Sequence, residues 1–132
     1  MRANRSIPSA TVIPELPCED VAATAAWLGE AFGFGVRLRI GGHRIQMNIG
    51  AGAVVLVDSG AGSSRMLVRV EDIDAHHERA RAAGARILAA PADHPYGERQ
   101  YSAEDSAGHR WTFSQTIADV DPTDWGGEVG EG

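Results

Sequence analysis

The chain has 132 residues, 43% of them hydrophobic, enough apolar material for one compact domain or two small fused modules. Its formal net charge of −6 disfavours bulk binding to nucleic acid or to an anionic membrane surface, so neither is expected as a partner. No apolar run approaches the roughly 20 residues that span a bilayer, and the first ten residues, MRANRSIPSA, hold no apolar signal core. The single cysteine, Cys18, allows no internal disulfide and fits a reducing cytoplasm.

In chain order, residues 1–10 read as a flexible N-terminus and residues 11–16 as a short apolar strand. Cys18 follows as a small hydrophobe whose acidic neighbours Glu19 and Asp20 raise its pKa, which argues against a nucleophile. Glu19-Asp20-Val21 opens a helix with Asp20 as its N-cap, because a carboxylate accepts the orphan N–H groups of the first turn. Val21, Ala25, Leu28 and Phe32 form one apolar stripe at helical spacing, and Gly33 ends it. Strands over 36–40, 43–49 and 53–58 follow, the last two joined by the turn Gly50-Ala51-Gly52.

A Gly- and Ser-rich linker, residues 59–64, precedes a second copy of the pattern. A strand over 66–70 leads to Glu71-Asp72-Ile73, which repeats the helix opening 52 positions later with Asp72 as N-cap. Ile73, Ala80 and Gly84 make a weaker stripe with His77 between them. Strands over 86–90, 98–103 and 109–114 follow, with Ser106-Ala107-Gly108 turning the last pair. Residues 117–132 form an acidic, Gly-rich tail that Trp125 anchors. The chain therefore reads β-α-β-β-β twice, an α+β arrangement with module one over 11–58 and module two over 65–116.

Tandem βαβββ modules resemble the vicinal oxygen chelate superfamily of glyoxalase I, bleomycin-resistance proteins and extradiol dioxygenases. The segments PYGERQYSAEDSAGHRWTFS (95–114) and EDIDAHHERARAAGA (71–85) resemble its glyoxalase/bleomycin-resistance branch, with the usual D-P-x-G turn altered to Asp105-Ser106-Ala107-Gly108. The resemblance covers residues 11–115. It implies two mixed sheets joined into a cup, with the helices on the convex side and the site in the hollow. It also implies metal ligands on the first and last strand of each module, at Ile13, Leu56, Arg65 and Thr112 when counted from the helix-opening Asp and the turn Gly. Ile13 and Leu56 have no donor atom, Arg65 repels a cation, and Thr112 offers one weak neutral oxygen. No metal and no cofactor is therefore expected, and metal-dependent glyoxalase or dioxygenase chemistry goes with them.

The histidines do not replace that site. His76 and His77 are neighbours on a helix, about 100° apart. His43 and His109 start strands and read as surface or half-buried side chains. His94, in the loop 92–96, is placed at the cup rim.

Strand alternation assigns the rest of the lining. Arg44, Gln46 and Asn48 face the cup, as do Arg65, Leu67 and Arg69, and Arg110, Thr112 and Ser114, whereas Trp111 and Phe113 pack under the helix. Glu15 shares the face of Ile13, and Asp58 that of Leu56. Arg99 and Tyr101 share one face of their strand, but which face is undetermined, and Tyr96 lies in the preceding loop. Several Arg, Gln and Asn groups in one hollow suit a polar or anionic ligand. The competing reading pairs Arg65 and Arg69 internally with Glu15 and Asp58.

Three functions compete. The first is a metal-free small-molecule-binding protein that sequesters a drug or polar metabolite and forms a homodimer, with Tyr96, Tyr101 and Trp27 as stacking walls. The second is a metal-independent lyase or isomerase using Glu15, Asp58 or His94 as general acid or base. The third is a regulatory module with a vestigial site.

Overall fold

A computed structural model of the chain describes residues 2–130. Among them the elements run β1 (Glu15–Pro17), α1 (Val21–Phe32), β2 (Gly35–Ile40), β3 (Arg44–Ile49), β4 (Gly52–Val57), β5 (Arg65–Arg69), α2 (Ile73–Ala82), β6 (Arg86–Asp93), β7 (Glu98–Glu104) and β8 (Arg110–Thr116), followed by a 3-10 turn at Pro122–Trp125. This is the expected βαβββ pattern twice over. Asp20 and Asp72 cap the helices, accepting from the N–H groups of Ala23 at 3.0 Å and Ala75 at 3.1 Å. Gly33 ends α1 in the left-handed region (φ 78°), where a Cβ would be strained. The first strand is shorter than the expected 11–16, and β6 and β8 run on past the expected ends at 90 and 114.

Each module folds into its own four-stranded mixed sheet, ordered β1-β4-β3-β2 in the first and β5-β8-β7-β6 in the second. The opening strand of each module lies parallel to its last strand, and the remaining pairs are antiparallel. Among the described residues no strand of one sheet pairs with a strand of the other. Helix α1 packs on the first sheet, α2 on the second, and the two helices on each other. Each sheet thus turns one face to the helices and the other, outer face away from them.

The inward faces obey the two-residue period of a strand. Leu16, Ile45, Met47, Val54 and Leu56 of the first sheet and Tyr101, Ala103, Trp111 and Phe113 of the second join one buried cluster with Val21, Leu28, Phe32, Ile73 and Ala80 of the helices. Phe32, at the end of α1, joins the modules. Its ring centroid lies 4.8 Å from Phe113 and 5.8 Å from Trp111, both edge-on, contacts worth about 0.5–1.5 kcal/mol each beyond simple burial.

Polar contacts fasten the same seam. Arg79 of α2 donates to the carbonyls of Glu30 (2.9 Å) and Gly29 (3.1 Å), satisfying the free end of α1. His109 is fully buried, unlike the surface or half-buried position expected for it. Its Nε2 donates to the Pro17 carbonyl (2.7 Å) and its Nδ1 accepts from the Ser64 N–H (2.9 Å), tying β1 to the linker. Asp105 organises the last turn. Its carboxylate accepts from the N–H groups of Ala107 (2.8 Å) and His109 (3.0 Å) and from the Trp111 indole N–H (2.8 Å). Three donors on one buried carboxylate hold this turn without the usual proline.

The tail crosses beside the β6–β7 turn. Ile117 N–H donates to the Gly97 carbonyl (2.8 Å), and a Cβ on Gly97 would stand 2.3 Å from the Ala118 carbonyl oxygen. Only glycine admits this path, which brings Trp125 to 5.3 Å from the Tyr96 ring.

Candidate functional site

The outer face of the first sheet carries Glu15, Arg44, Gln46 and Asn48, as alternation predicts, together with Val55. Arg44 donates to Glu15 at 2.7 Å. Residues 5–8, read from the sequence as part of a flexible terminus, lie across this face. The Ser6 carbonyl accepts from Gln46 Nε2 (2.9 Å), the Arg5 carbonyl from Arg37 Nη2 (2.9 Å), and Pro8 is buried. Beneath this arm remains a cavity of about 330 Å³ lined by Ile7, Pro8, Ile13, Glu15, Arg44 and Gln46 among others.

The outer face of the second sheet is exposed along β5 and at Arg110, half-buried along β7, and buried at Ser114. Cross-strand pairing places Arg65, Leu67 and Arg69 of β5, Arg110, Thr112 and Ser114 of β8, and Glu98, Gln100, Ser102 and Glu104 of β7 on it together. Leu67 is 69% exposed at its centre. A relay of hydrogen bonds crosses the face: Tyr96 Oη donates to Gln100 Oε1 (2.9 Å), Gln100 Nε2 to Ser114 Oγ (3.0 Å), and Ser114 Oγ to Glu98 Oε1 (2.7 Å). The Thr112 and Ser102 hydroxyls bond each other at 2.7 Å. Bonds from Thr116 and Ser114, with the nearby charge of Arg69, hold the Glu98 carboxyl below its ordinary 4.5. His94 stacks on Tyr96 (5.2 Å, 11° between planes) and Trp125 lies beyond, so the relay starts at an aromatic group.

Several expected positions are corrected. Leu56 points into the core and Val55 takes the outer face. The run Ala53–Val57 is buried on both sides, so alternation carries no phase there. Asp58 lies past the end of β4, in the segment that follows, and lines a different cavity. Arg99 and Tyr101 face the helices. Arg99 bridges Asp74 (3.1 Å) of α2 and Asp93 (3.0 Å), and Tyr101 is 1% exposed with its hydroxyl against His76 Nδ1. Trp27 sits on α1 against Phe32, so neither it nor Tyr101 can form a wall on an outer face. The internal pairing of Arg65 and Arg69 with Glu15 and Asp58 is not made: Glu15 pairs with Arg44, and neither arginine has an ion-pair partner among the described residues.

Glu98, Gln100 and Ser102 were not singled out from the sequence. The signal was present in Tyr101 and Ala103, two apolar residues in phase, which send the alternate residues outward. Arg99 obscured it by standing on the same side as Tyr101.

Of the four positions that the resemblance implies as metal ligands, Ile13 lines the cavity under the arm, Leu56 lies in the core, and Arg65 and Thr112 lie on the outer face of the second sheet; none of the four carries an imidazole or a carboxylate. Among the described residues no three His, Cys, Asp or Glu side chains gather in one place.

A larger cavity, about 660 Å³, lies on neither outer face and is lined by Cys18, Glu19, Asp20, Asp58, Thr24 and Ser106 among others. Burial first, and the charge of Asp105 second, push the Cys18 thiol up against a lowering bond from Thr24, and its Sγ donates to the Leu16 carbonyl (3.4 Å). It is a core residue, as expected, though burial and Asp105 rather than Glu19 and Asp20 account for the shift. No helix among the described residues is long and apolar enough to cross a membrane.

Comparison with known proteins agrees with this architecture. The chain is 30% identical to the crystal structure of TioX from Micromonospora sp. ML1, covering 85% of this chain and all of that one at a TM-score of 0.72. A glyoxalase/bleomycin resistance protein from Streptomyces sp. CB03234 is 26% identical, over 78% of this chain and 97% of that one, at a TM-score of 0.65. The uncharacterized Mycobacterium bovis protein Mb0911c is 29% identical over 89 residues, which span 63% of this chain and 59% of that protein's length. Residues 10–113 match the family described as the Glyoxalase/Bleomycin resistance protein/Dioxygenase superfamily, and the chain belongs to that superfamily.

Proposed function

We propose that the protein binds a small polar molecule on the outer face of its second sheet, without a divalent metal, and that it does so as a homodimer in a reducing cytoplasm. The observation that carries this reading is the relay Tyr96–Gln100–Ser114–Glu98, half-buried on the outer face beside the exposed Leu67 and the aromatic pair of Tyr96 and Trp125. Polar groups fixed in direction beside apolar walls suit a bound organic molecule. The sheet edges support the dimer reading: among the described residues β1 and β5 end their sheets with no neighbouring strand, and a second copy can cover them.

Binding is favoured over lyase or isomerase chemistry because the acid–base candidates do not assemble. Glu15 is paired on the first sheet, Asp58 lies beside the linker, and His94 stacks at the edge of the second sheet. Native mass spectrometry of the protein purified from its own host tests the reading. The expected spectrum shows a dimer carrying a non-covalent organic molecule and no stoichiometric metal. A bound transition metal, or substrate turnover that survives in a Gln100→Ala variant but not in Glu15→Gln, would sink it.

A further inference from the structure

We infer that one end of the second sheet's outer face is an oxyanion subsite built by Arg65, Arg110 and Arg86, which takes the carboxylate, sulfonate or phosphate group of a bound molecule. The inference rests on the proposal that this face binds ligand, and it names the chemistry of one end of that ligand. Four side chains form a row across the four strands. Arg65 of β5 is the partner of Arg110 of β8, Arg110 of Glu104 of β7, and Glu104 of Arg86 of β6. Neighbouring strands lie about 4.8 Å apart, so adjacent side chains of the row are within reach of one bound group.

The row holds three guanidinium groups and one carboxylate, and that carboxylate is already engaged by Arg86 Nη1 at 3.1 Å. Arg65 and Arg110 stand directly opposite each other with no ion-pair partner among the described residues, and both are exposed. Like charges placed opposite on adjacent strands destabilise a sheet. The chain has 18 acidic residues and a net charge of −6, yet among the described residues none of the other acids forms an ion pair with this pair of arginines. An oxyanion between them turns repulsion into charge-assisted hydrogen bonds, for which the planar guanidinium fork is well shaped. The next row inward, Leu67, Thr112 and Ser102, is uncharged, and its two hydroxyls already bond each other. Glu98 lies six residues along β7, roughly 20 Å away by strand rise, where the nearby Arg69 offsets its charge, so the net positive charge of the face gathers at the row's end.

The test is a titration of the full chain with inorganic phosphate, followed by ¹H–¹⁵N NMR at ionic strength held constant with sodium chloride. Arg65→Gln and Arg110→Gln remove charge from exposed side chains, and Arg39→Gln on the first sheet is the control. Saturable shifts at residues 65, 104 and 110 are expected, with affinity falling about tenfold or more in each row variant and unchanged in the control. Shifts that do not saturate, or that are equal in all proteins, overturn the subsite. So does a change of subunit number in the row variants with phosphate binding intact, which would make the row a subunit contact. Phosphate binding without any co-purified organic molecule leaves the subsite standing and removes the broader proposal. A co-purified ligand with no phosphate response does the reverse.

Discussion

Replacing Asp105 by Asn isolates the contact that sets the last turn. The buried carboxylate accepts two backbone N–H groups on Oδ1 and the Trp111 indole N–H on Oδ2. An asparagine whose oxygen keeps the two backbone bonds must turn its NH₂ toward the indole, donor against donor. Trp111 is fully buried, so no water relieves the clash. An unsatisfied buried donor costs about 1–3 kcal/mol, and losing the charge on the two surviving bonds adds about 1 kcal/mol, giving a destabilisation of about 2–4 kcal/mol. Trp111→Phe is destabilising for a different reason, lost volume, and also removes the indole N–H. In the double variant the Asn NH₂ no longer meets a donor, so the two costs should fall short of their sum by about 1–2 kcal/mol. Urea unfolding followed by far-UV circular dichroism measures all four proteins with the tryptophan signal out of play. Additive costs, within about 0.5 kcal/mol, would refute the proposed role of Asp105.

Acid should act through His76. Burial, with a smaller contribution from the charge of Arg79, holds its pKa below 6.5 against a raising bond to the Phe32 backbone. A base whose folded pKa is depressed contributes stability fully above 6.5 and loses it as pH falls toward the folded value. His76→Gln should therefore flatten the decline in urea midpoint below pH 6.5, and an unchanged slope counts against it. Phe32→Ala should cost about 3–5 kcal/mol, because it opens a cavity between the modules; a cost below about 1 kcal/mol by the same assay would mean that the seam is not held there. Elemental analysis of protein expressed with excess zinc, nickel, iron or manganese should find less than stoichiometric metal after dialysis, and a retained equivalent would mean that donors outside Ile13, Leu56, Arg65 and Thr112 hold a metal.

The repeat carried most of the fold into view. Two Asp-capped openings, two glycine stops and two glycine turns recur in order, and each depends on local chemistry that neighbouring chain cannot override. Faces were legible where apolar and polar residues alternate, as in Arg44, Gln46 and Asn48 against Ile45 and Met47. They were not legible in Ala53–Val57, which is buried on both sides, with the N-terminal arm over Val55 on its outer face. Arg99 misleads for a tertiary reason, since a charged residue on the inward side is tolerated where Asp74 of α2 meets it at the sheet's end. The role of His109 depends on Pro17 and Ser64, distant in sequence, and no spacing rule reports such a contact.

Amide shift mapping with the molecule that co-purifies from the host tests directly whether ligand lies on the outer face of the second sheet. Perturbations are expected in β5, β7 and β8, at Leu67, Gln100, Ser102, Thr112 and Ser114, with the Trp125 indole signal moving in step. Perturbations gathered instead around Cys18, Asp20 and Asp58, at the larger cavity, or beneath the arm at Ile13 and Gln46, would contradict it.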